Sequence, residues 1–356
     1  KNKNATKNIL LMYQNFSRKI GFGSKGYSLF LKELKLIKKV ILISGSKSDY
    51  KNVLNKLNKI FKKKPKHIML KKNRGSLDLI NNIYAQNKNI NTIIALGGGS
   101  IIDFSKRLVL KFKNHKKIKF YILPTLLGSG AETSISSIVN TSSEKNIIVN
   151  ENFLPDGIVY DENLINTASK LSLLMGILDA FSHCIDSLTS INKNYYLNFL
   201  SVETLNSFIN KNSLNSLINK NKFNYFDLAI LSFNGGIAQS NAGSGICHAL
   251  THSTEKILNI NHSEGISFFI RPVLKYLLIK NKRDLKVLDK KLLRYISKLA
   301  QYTNKDDNLK RIKSLICKET FIDELINKSK NDICWKLYNK NVDIKLLKNF
   351  IKNENS

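Results

Sequence analysis

Five residues in the second half of the chain combine carboxylate and imidazole side chains at helical spacing. Asp179 and His183 are four residues apart in a run with helical periodicity, and His248 and His252 repeat that spacing. His262 follows ten residues later in the turn-like segment NHSEG. Side chains at positions i and i+4 of a helix share one face. Divalent metals such as Fe²⁺ and Zn²⁺ accept mixed imidazole and carboxylate ligands, so this pattern predicts a metal site.

The alternative is that each histidine is a separate hydrogen-bonded residue of the core or surface. Four of the six histidines lie in these two segments, together with a carboxylate at helical spacing, and this clustering favours the metal site. Cys184 and Cys247 each follow a proposed ligand. Neighbouring helical residues point about 100° apart, so we expect both cysteines to pack rather than to bind.

A glycine-rich segment in the first half, ALGGGSIIDFSK, has the pattern of a strand, a turn and the start of a helix. Gly97, Gly98 and Gly99 let the backbone approach a phosphate, and the helix N-terminus offers N–H groups and the positive end of its dipole. Ser100 is in a position to cap the helix, with Asp103 three residues later. An ordinary tight turn is the alternative, but three successive glycines after a strand favour a pyrophosphate site.

A second loop of small residues, LPTLLGSGAETS, follows a later predicted strand. Thr125, Gly128, Ser129 and Gly130 could supply hydroxyl and N–H groups to a ribose or a phosphate. Such loops are common, and one of them is weak evidence. Two on adjacent strands of one sheet predict a crevice for a dinucleotide.

The elements that must position these residues differ between the two halves. Apolar runs at 40–44, 67–70, 91–97 and 119–125 predict four strands, alternating with helical runs through Leu54, Leu57 and Ile60 and through 77–89. This alternation is typical of βαβ units and a parallel sheet. We therefore predict an α/β dinucleotide-binding domain over residues 1–168.

From about Leu171 the apolar spacing is close to 3.6 residues in five long segments, which predicts an all-α domain over residues 169–356. We expect Pro272 to interrupt the helical pattern. The tail after Lys340 is predicted to be a short helix with a frayed polar end.

Composition excludes several classes of protein. With 356 residues and 42% hydrophobic residues the chain can build a core, and no continuous apolar run reaches the roughly 18–20 residues of a membrane span. The N-terminus lacks the pattern of a secretory signal, and the four cysteines lack disulfide or CxxC spacing. We expect a reducing, cytoplasmic location and no membrane partner.

The net charge of +32 suggests nucleic-acid binding. The lysines are spread along the whole chain, however, and they accompany abundant Asn and Ile, which share A/T-rich codons. No basic and aromatic recognition segment stands out. We therefore expect no specific nucleic-acid partner.

These motifs resemble the iron-containing (group III) alcohol dehydrogenase family, of the dehydroquinate synthase-like superfamily, over nearly the whole chain. The family motif GGGSxxDxxK is matched by Gly97, Gly98, Gly99, Ser100, Asp103 and Lys106. The PTTxGTGSE loop is matched as PTLLGSGAE, and the DAxxH helix as DAFSH. The resemblance implies an N-terminal dinucleotide-binding domain, a helical metal-binding domain, and a metal in the cleft between them.

The resemblance also assigns residues. The metal ligands that it implies are Asp179, His183, His248 and His262. It places His252 near substrate and nicotinamide, where this residue would relay a proton to solvent, with second-shell packing as the alternative. Besides Gly97, Gly98, Gly99, Ser100 and Asp103, the cofactor-binding candidates are Gly45, Thr125, Leu126, Ser129 and Lys145.

Three departures from the family pattern bear on the cofactor and on the metal site. Leu126 replaces a threonine in the cofactor loop, and HSEG replaces HG at His262. After the first predicted strand, Ser44, Gly45, Ser46 and Lys47 stand where NAD-preferring members carry an Asp. This segment lacks a carboxylate that would repel a 2′-phosphate, so we expect NADP to bind at least as well as NAD.

The expected activity is metal-dependent, NAD(P)-linked oxidation of an alcohol by hydride transfer, or the reverse reaction, in a homodimer. Short phrases such as SGAE and GICHALTH also resemble a branch that acts on a sugar acid, the terminal alcohol of a 3-deoxy-octulosonate. Two alternatives remain. One is a dehydroquinate-synthase-like cyclase that uses NAD transiently, and the other is a non-catalytic, basic polyanion-binding protein with the same fold.

Overall fold

The computed structural model describes residues 19–34, 37, 39–45, 55, 59, 61, 64–70, 76–140, 145–219, 222–288, 290–304 and 307–353. The chain divides into two compact units, Lys1–Ser169 and Lys170–Ser356. The predicted helical run through Leu54, Leu57 and Ile60 lies outside the described residues, as do Ser46 and Lys47.

The strands of the first unit are β1 (Ile20–Phe22), β2 (Val40–Gly45), β3 (Lys66–Leu70), β4 (Thr92–Gly97), β5 (Lys119–Pro124), β6 (Ser136–Asn140), β7 (Lys145–Val149) and β8 (Gly157–Tyr160). Six of them form a parallel sheet in the order β1-β8-β5-β4-β2-β3, and β6 and β7 form a separate antiparallel hairpin. The helices of the first unit are α1 (Gly23–Leu34), α2 (Leu77–Gln86), α3 (Gly99–Lys113) and α4 (Glu162–Ile165), with a 3₁₀ turn at Glu151–Phe153. The predicted α/β fold with a parallel sheet is confirmed.

Alternating side chains give the sheet a separate apolar core on each face. Ile93 of β4 and Phe120 of β5 pack on the face that α2 and α3 cover, while Ile94 and Tyr121 pack on the face that α1 covers. β4 and β5 are adjacent and in register, with Gly97 opposite Pro124. The two small-residue loops therefore leave neighbouring strands at the same edge of the sheet, as predicted.

The regular secondary structure in the described residues of the second unit is helical, apart from one isolated bridge. Its elements are α5 (Lys170–Leu188), α6 (Tyr195–Lys211), α7 (Leu214–Ile218), α8 (Tyr225–Ala242), α9 (Ile246–Leu258), α10 (His262–Lys280), α11 (Lys282–Leu285), α12 (Lys290–Thr303), α13 (Asp307–Ile316), α14 (Glu319–Lys330), α15 (Ile333–Lys336) and α16 (Ile344–Lys352). An isolated bridge joins Ser190 to Tyr338. The predicted helical character of this half is confirmed.

Two predictions about helix α10 are wrong. The helix runs through Pro272 without a break. The NHSEG segment is not a turn either, because His262 is the first residue of the helix, where Asn261 and Glu264 form a capping box. Glu264 is three residues after the N-cap, which is the spacing of this motif.

One helix among the described residues, α5, is long and apolar enough to cross a membrane by length and composition, and 89% of the tested window is buried inside the fold. It packs against α8, α10 and α6. A buried core helix passes the same length and composition test, so this finding is weak evidence for a span.

Candidate metal and cofactor sites

Helices α5, α9 and α10 bring Asp179, His248 and His262 into one group of potential ligands, and His183 approaches Asp179 without belonging to that group. Oδ1 of Asp179 lies 3.6 Å from Nε2 of His183, 3.5 Å from Nε2 of His248 and 3.8 Å from Nε2 of His262. The donor atoms of Asp179, His248 and His262 all lie within 4.8 Å of one another. Residues 83 positions apart in the sequence thus meet at one carboxylate oxygen.

The spacing of these atoms suits ligands around one cation better than a hydrogen-bonded cluster. The three distances exceed the 2.7–3.2 Å of an ordinary N–H···O hydrogen bond. Ligand bonds of about 2.1 Å in a tetrahedral shell would separate neighbouring donor atoms by about 3.4 Å. Asp179 Oδ1 and His248 Nε2 are buried and have no hydrogen-bond partner among the described residues. These residues therefore fit a divalent metal.

Two of the histidines contact a carboxylate at Nδ1, and these contacts fix the orientation of their rings. Nδ1 of His248 lies 2.8 Å from Asp186 Oδ2, and Nδ1 of His262 lies 2.6 Å from Glu255 Oε1. A carboxylate on Nδ1 favours the tautomer that leaves Nε2 unprotonated and able to bind a metal. Both Nε2 atoms then face Asp179.

Asp186 is held in place by the start of α9. The N–H group of Gly245 donates to Asp186 Oδ2 at 2.8 Å. A Cβ atom at Gly245 would lie 2.7 Å from Asp186 Oδ1, so only glycine admits the carboxylate here. The Asp186 carboxylate therefore lies at the N-terminus of α9, where the helix dipole stabilises its negative charge.

The charges in this cluster stabilise one another. Burial by itself would raise the pKa of the Asp179 carboxyl, but His183, His248 and His262 together lower the pKa below its ordinary value. Burial likewise opposes protonation of His248, while Asp179 and Asp186 raise the pKa of this histidine to about 9. Without a metal, the ring of His248 is therefore protonated at neutral pH.

His252 lies beside the cluster on α9. Its ring centroid is 5.5 Å from that of His262 and 6.1 Å from that of His248. Nδ1 of His252 lies 3.0 Å from Asp332 Oδ2, and Cys334 Sγ lies 4.0 Å from the same nitrogen. Cys184 and Cys247 are buried, and burial raises the pKa of both thiols.

Sequence reasoning missed the three carboxylates. Asp186 and Glu255 each share a helix with predicted ligands. They lie seven residues after Asp179 and His248, a spacing that keeps them on nearly the same face. The helical period could have found both. Asp332 is 80 residues from His252, and no local pattern points to it.

In the first unit, the glycine turn ends β4 and opens α3. The N-cap of α3 is Gly98, and no side chain among the described residues caps the helix. The prediction that Ser100 caps it is wrong, because the helix begins at Gly99 and Ser100 already lies in the first turn. An uncapped helix N-terminus leaves N–H groups to an anion.

The two predicted loops touch each other. A Cβ atom at Gly98 would lie 3.3 Å from Leu126 Cβ, and one at Gly99 would lie 3.2 Å from Ser129 Oγ. The N–H group of Thr125 donates to the carbonyl of Gly97 at 3.1 Å.

The other three cofactor candidates, Asp103, Lys145 and Gly45, lie in different surroundings. The pKa of Asp103 is raised by burial to about 6, although Lys106, a hydrogen bond from the Ile138 backbone and Arg107 oppose the rise, so this carboxyl faces β6. Lys145 opens β7. Ser44 is buried and its hydroxyl lies 2.8 Å from His67 Nε2, whereas Gly45 ends β2.

The sequence of this chain matches known proteins in both of its halves. The family model for iron-containing alcohol dehydrogenases matches residues 17–162, and the model for the C-terminal region of the Fe-containing alcohol dehydrogenase family matches residues 173–328. The chain is 28% identical to the 4-hydroxybutyrate dehydrogenase of Clostridium kluyveri over 57% of this chain and 60% of that protein. It is 26% identical to the NADPH-dependent butanol dehydrogenase of Clostridium saccharobutylicum over 52% of each chain.

The chain thus spans about half the length of the curated relatives that it matches. The solved sulfoacetaldehyde reductase of Bifidobacterium kashiwanohense, in complex with NAD⁺, superposes with a TM-score of 0.81 over 95% of this chain and 97% of that chain. Its 15% identity shows a shared fold alone. From the two family models, which match both halves in chain order, the chain belongs to the iron-containing alcohol dehydrogenase family.

Proposed function

We propose that this chain is a metal-dependent, NAD(P)-linked alcohol dehydrogenase that oxidises an alcohol to an aldehyde or ketone, or catalyses the reverse reaction. The observation that carries the proposal is the meeting of Asp179 Oδ1 with the Nε2 atoms of His183, His248 and His262 at 3.5–3.8 Å. Asp179, His183, His248 and His262 would hold the metal, Fe²⁺ or Zn²⁺. The names of the relatives support an alcohol or a hydroxy acid as substrate.

The residues of the chain have separable tasks in this reaction. A divalent metal supplies the charge that makes a bound alcohol more acidic, and a nicotinamide supplies the hydride acceptor. Asp186 and Glu255 hold the Nδ1 atoms of two ligand histidines. His252 would accept the alcohol proton at Nε2 and pass it to solvent, because its Nδ1 is engaged by Asp332.

The cofactor would bind at the paired loops of the first unit. Its phosphates would lie at the start of α3, over Gly98, Gly99 and Ser100, beside Thr125, Leu126 and Ser129. The uncapped N-terminus of α3 supports this proposal. Gly45, Asp103 and Lys145 stay predictions. We propose NADP and NAD as alternatives, since one relative is named as NADPH-dependent and one structural neighbour contains NAD⁺.

We also propose a reducing, cytoplasmic compartment. The four cysteines, Cys184, Cys247, Cys317 and Cys334, are free thiols, which supports a reducing, cytoplasmic compartment. The homodimer and the absence of specific nucleic-acid or membrane partners stay predictions.

One experiment separates this activity from its alternatives. Purified full chain is loaded with Zn²⁺ or Fe²⁺, and NAD(P)H absorbance is followed with a panel of primary alcohols, hydroxy acids and sugar acids. A dehydrogenase accumulates NAD(P)H in proportion to product. A cyclase of the dehydroquinate synthase kind consumes its substrate without net reduction of cofactor, and a polyanion-binding protein shows neither.

Gly245→Ala is expected to weaken metal binding about 10- to 100-fold, because its Cβ would displace Asp186 from His248. Competition against a chromogenic zinc chelator measures the change. Asp186→Asn should produce a similar loss, and combining both changes should add little, since they break one interaction. Additive losses would mean that Gly245 acts on the metal by another route.

Gly98→Val is expected to raise the dissociation constant of NAD(P)H at least about tenfold, because a branched side chain would crowd the turn beside Leu126. Cofactor fluorescence measures binding, and zinc content serves as the internal control. Unchanged cofactor binding together with lost zinc would show that the phosphates do not bind at this turn.

A further inference from the structure

The turn between α14 and α15 reaches His252 from a part of the chain beyond the family match, which ends at residue 328. Asp332 supplies the contact, with Oδ2 3.0 Å from His252 Nδ1. Its other oxygen, Oδ1, accepts the N–H group of Cys334 at 2.8 Å and so caps α15. Both carboxylate oxygens are therefore used, one by the local backbone and one by the histidine.

A second contact ties the same segment to α9 next to His252. The hydroxyls of Ser329 and Ser253 are buried and lie 3.0 Å apart. The backbone N–H group of Asp332 donates to the carbonyl of Ser329 at 3.0 Å. Because these contacts fall on consecutive residues of α9, the turn is fixed in position relative to the imidazole.

The contact between Asp332 and His252 favours one tautomer of the imidazole ring. A neutral imidazole carries its proton on either nitrogen, and a carboxylate beside Nδ1 favours the form protonated there. Burial would raise the pKa of Asp332, but His252 and the Cys334 backbone and thiol lower it to about 2, so the carboxylate is ionised at neutral pH. His252 itself is only 8% exposed, which limits competition from water.

We propose that Asp332 is a positioning residue that holds His252 with its proton on Nδ1 and leaves Nε2 free to accept a proton. Glu255 and His262 also lie near the ring, and the Cys334 thiol makes a long contact of 4.0 Å with Nδ1. The Asp332 carboxylate is much closer, at 3.0 Å, and carries the charge. The catalytic consequence rests on the proposed role of His252 in proton transfer, whereas the effect on the tautomer does not.

The experiment reads the tautomer directly. Full-length chain is labelled with ¹⁵N-histidine and loaded with zinc, and the side-chain nitrogen resonances of His252 are assigned with His252→Gln. In the wild type, Nδ1 should be the protonated nitrogen. Asp332→Asn keeps an N-cap residue but can donate its amide N–H to Nδ1, so the proton should move to Nε2. Asp332→Glu, which restores a carboxylate, should recover at least part of the wild-type pattern.

Activity supplies a second readout. Asp332→Asn should lower kcat at least about tenfold, while KM and zinc content stay within about twofold. Asp343→Asn, the same change at the N-cap of α16, is the matched control and should leave the tautomer and kcat unchanged.

Each outcome has one meaning. A wild-type His252 protonated on Nε2, or a tautomer unmoved by Asp332→Asn, overturns the positioning role. A tautomer that moves while kcat stays constant overturns the catalytic role of His252 and retains the effect of Asp332 on the ring.

Discussion

Asp179→Asn is expected to abolish stable metal binding and to lower kcat/KM by at least about 10³-fold, since a bound metal contributes several kcal/mol to the transition state. Asp179 Oδ1 is the atom within 3.8 Å of all three imidazole Nε2 atoms. The amide keeps the size of the side chain and removes its charge. Elemental analysis of dialysed protein measures the metal, and NAD(P)H absorbance measures the rate.

Asp227→Asn is the matched control for this change. Asp227 is also a buried carboxylate in the helical unit, where it accepts a hydrogen bond from Asn212 at 3.0 Å. We expect this variant to keep the metal content of the wild type. Equal metal content in both variants would contradict the assignment of Asp179 as a ligand.

Lys106→Met is expected to destabilise the first unit by about 3 kcal/mol, in the range for breaking a buried charged interaction. The Lys106 side chain is fully buried, and Nζ donates to the carbonyls of Ser134 and Ser136 at 2.8 and 2.7 Å. Burial lowers the pKa of this lysine to about 8, although Asp103 and Glu132 oppose that effect. The ammonium therefore stays charged at neutral pH and ties α3 to the strand β6.

Thermal unfolding should show the loss as a fall of about 6–12 °C in the transition of the first unit. Zinc content should not change, because the metal ligands belong to the other unit. Lys111→Met on the same helix, where the side chain is only partly buried, should shift the transition by less than about 2 °C. Equal shifts in the two variants would mean that the hydrogen bonds of Lys106 contribute no more to stability than a surface lysine.

The sequence could point to the residues of the proposed metal site because their spacing is local. Asp179 with His183, and His248 with His252, each follow the helical period, so one helix brings each pair to one face. These two pairs and His262 come together only through packing among α5, α9 and α10. No rule of local spacing predicts that packing. Asp332 approaches His252 through the turn after α14, so its contribution could only be found in three dimensions.

In the first unit, too, some elements could not be predicted from local sequence. The four predicted strands are β2 to β5, which have five or six residues, whereas β1 and β8 have three and four. The hairpin of β6 and β7 was also missed. Ser100 looked like a cap because serine is common at N-caps, but Gly98 and Gly99 allow the helix to begin two residues earlier than a serine cap would require.

X-ray absorption at the metal edge of the zinc-loaded full chain reads the ligand shell of the metal directly. We expect a shell of nitrogen and oxygen ligands at about 2.0–2.2 Å, with the outer-shell scattering of about three imidazole rings. In His262→Ala the imidazole contribution should fall by about one third. A sulfur ligand at about 2.3 Å, or a shell without imidazole, would contradict the proposed site at Asp179, His183, His248 and His262.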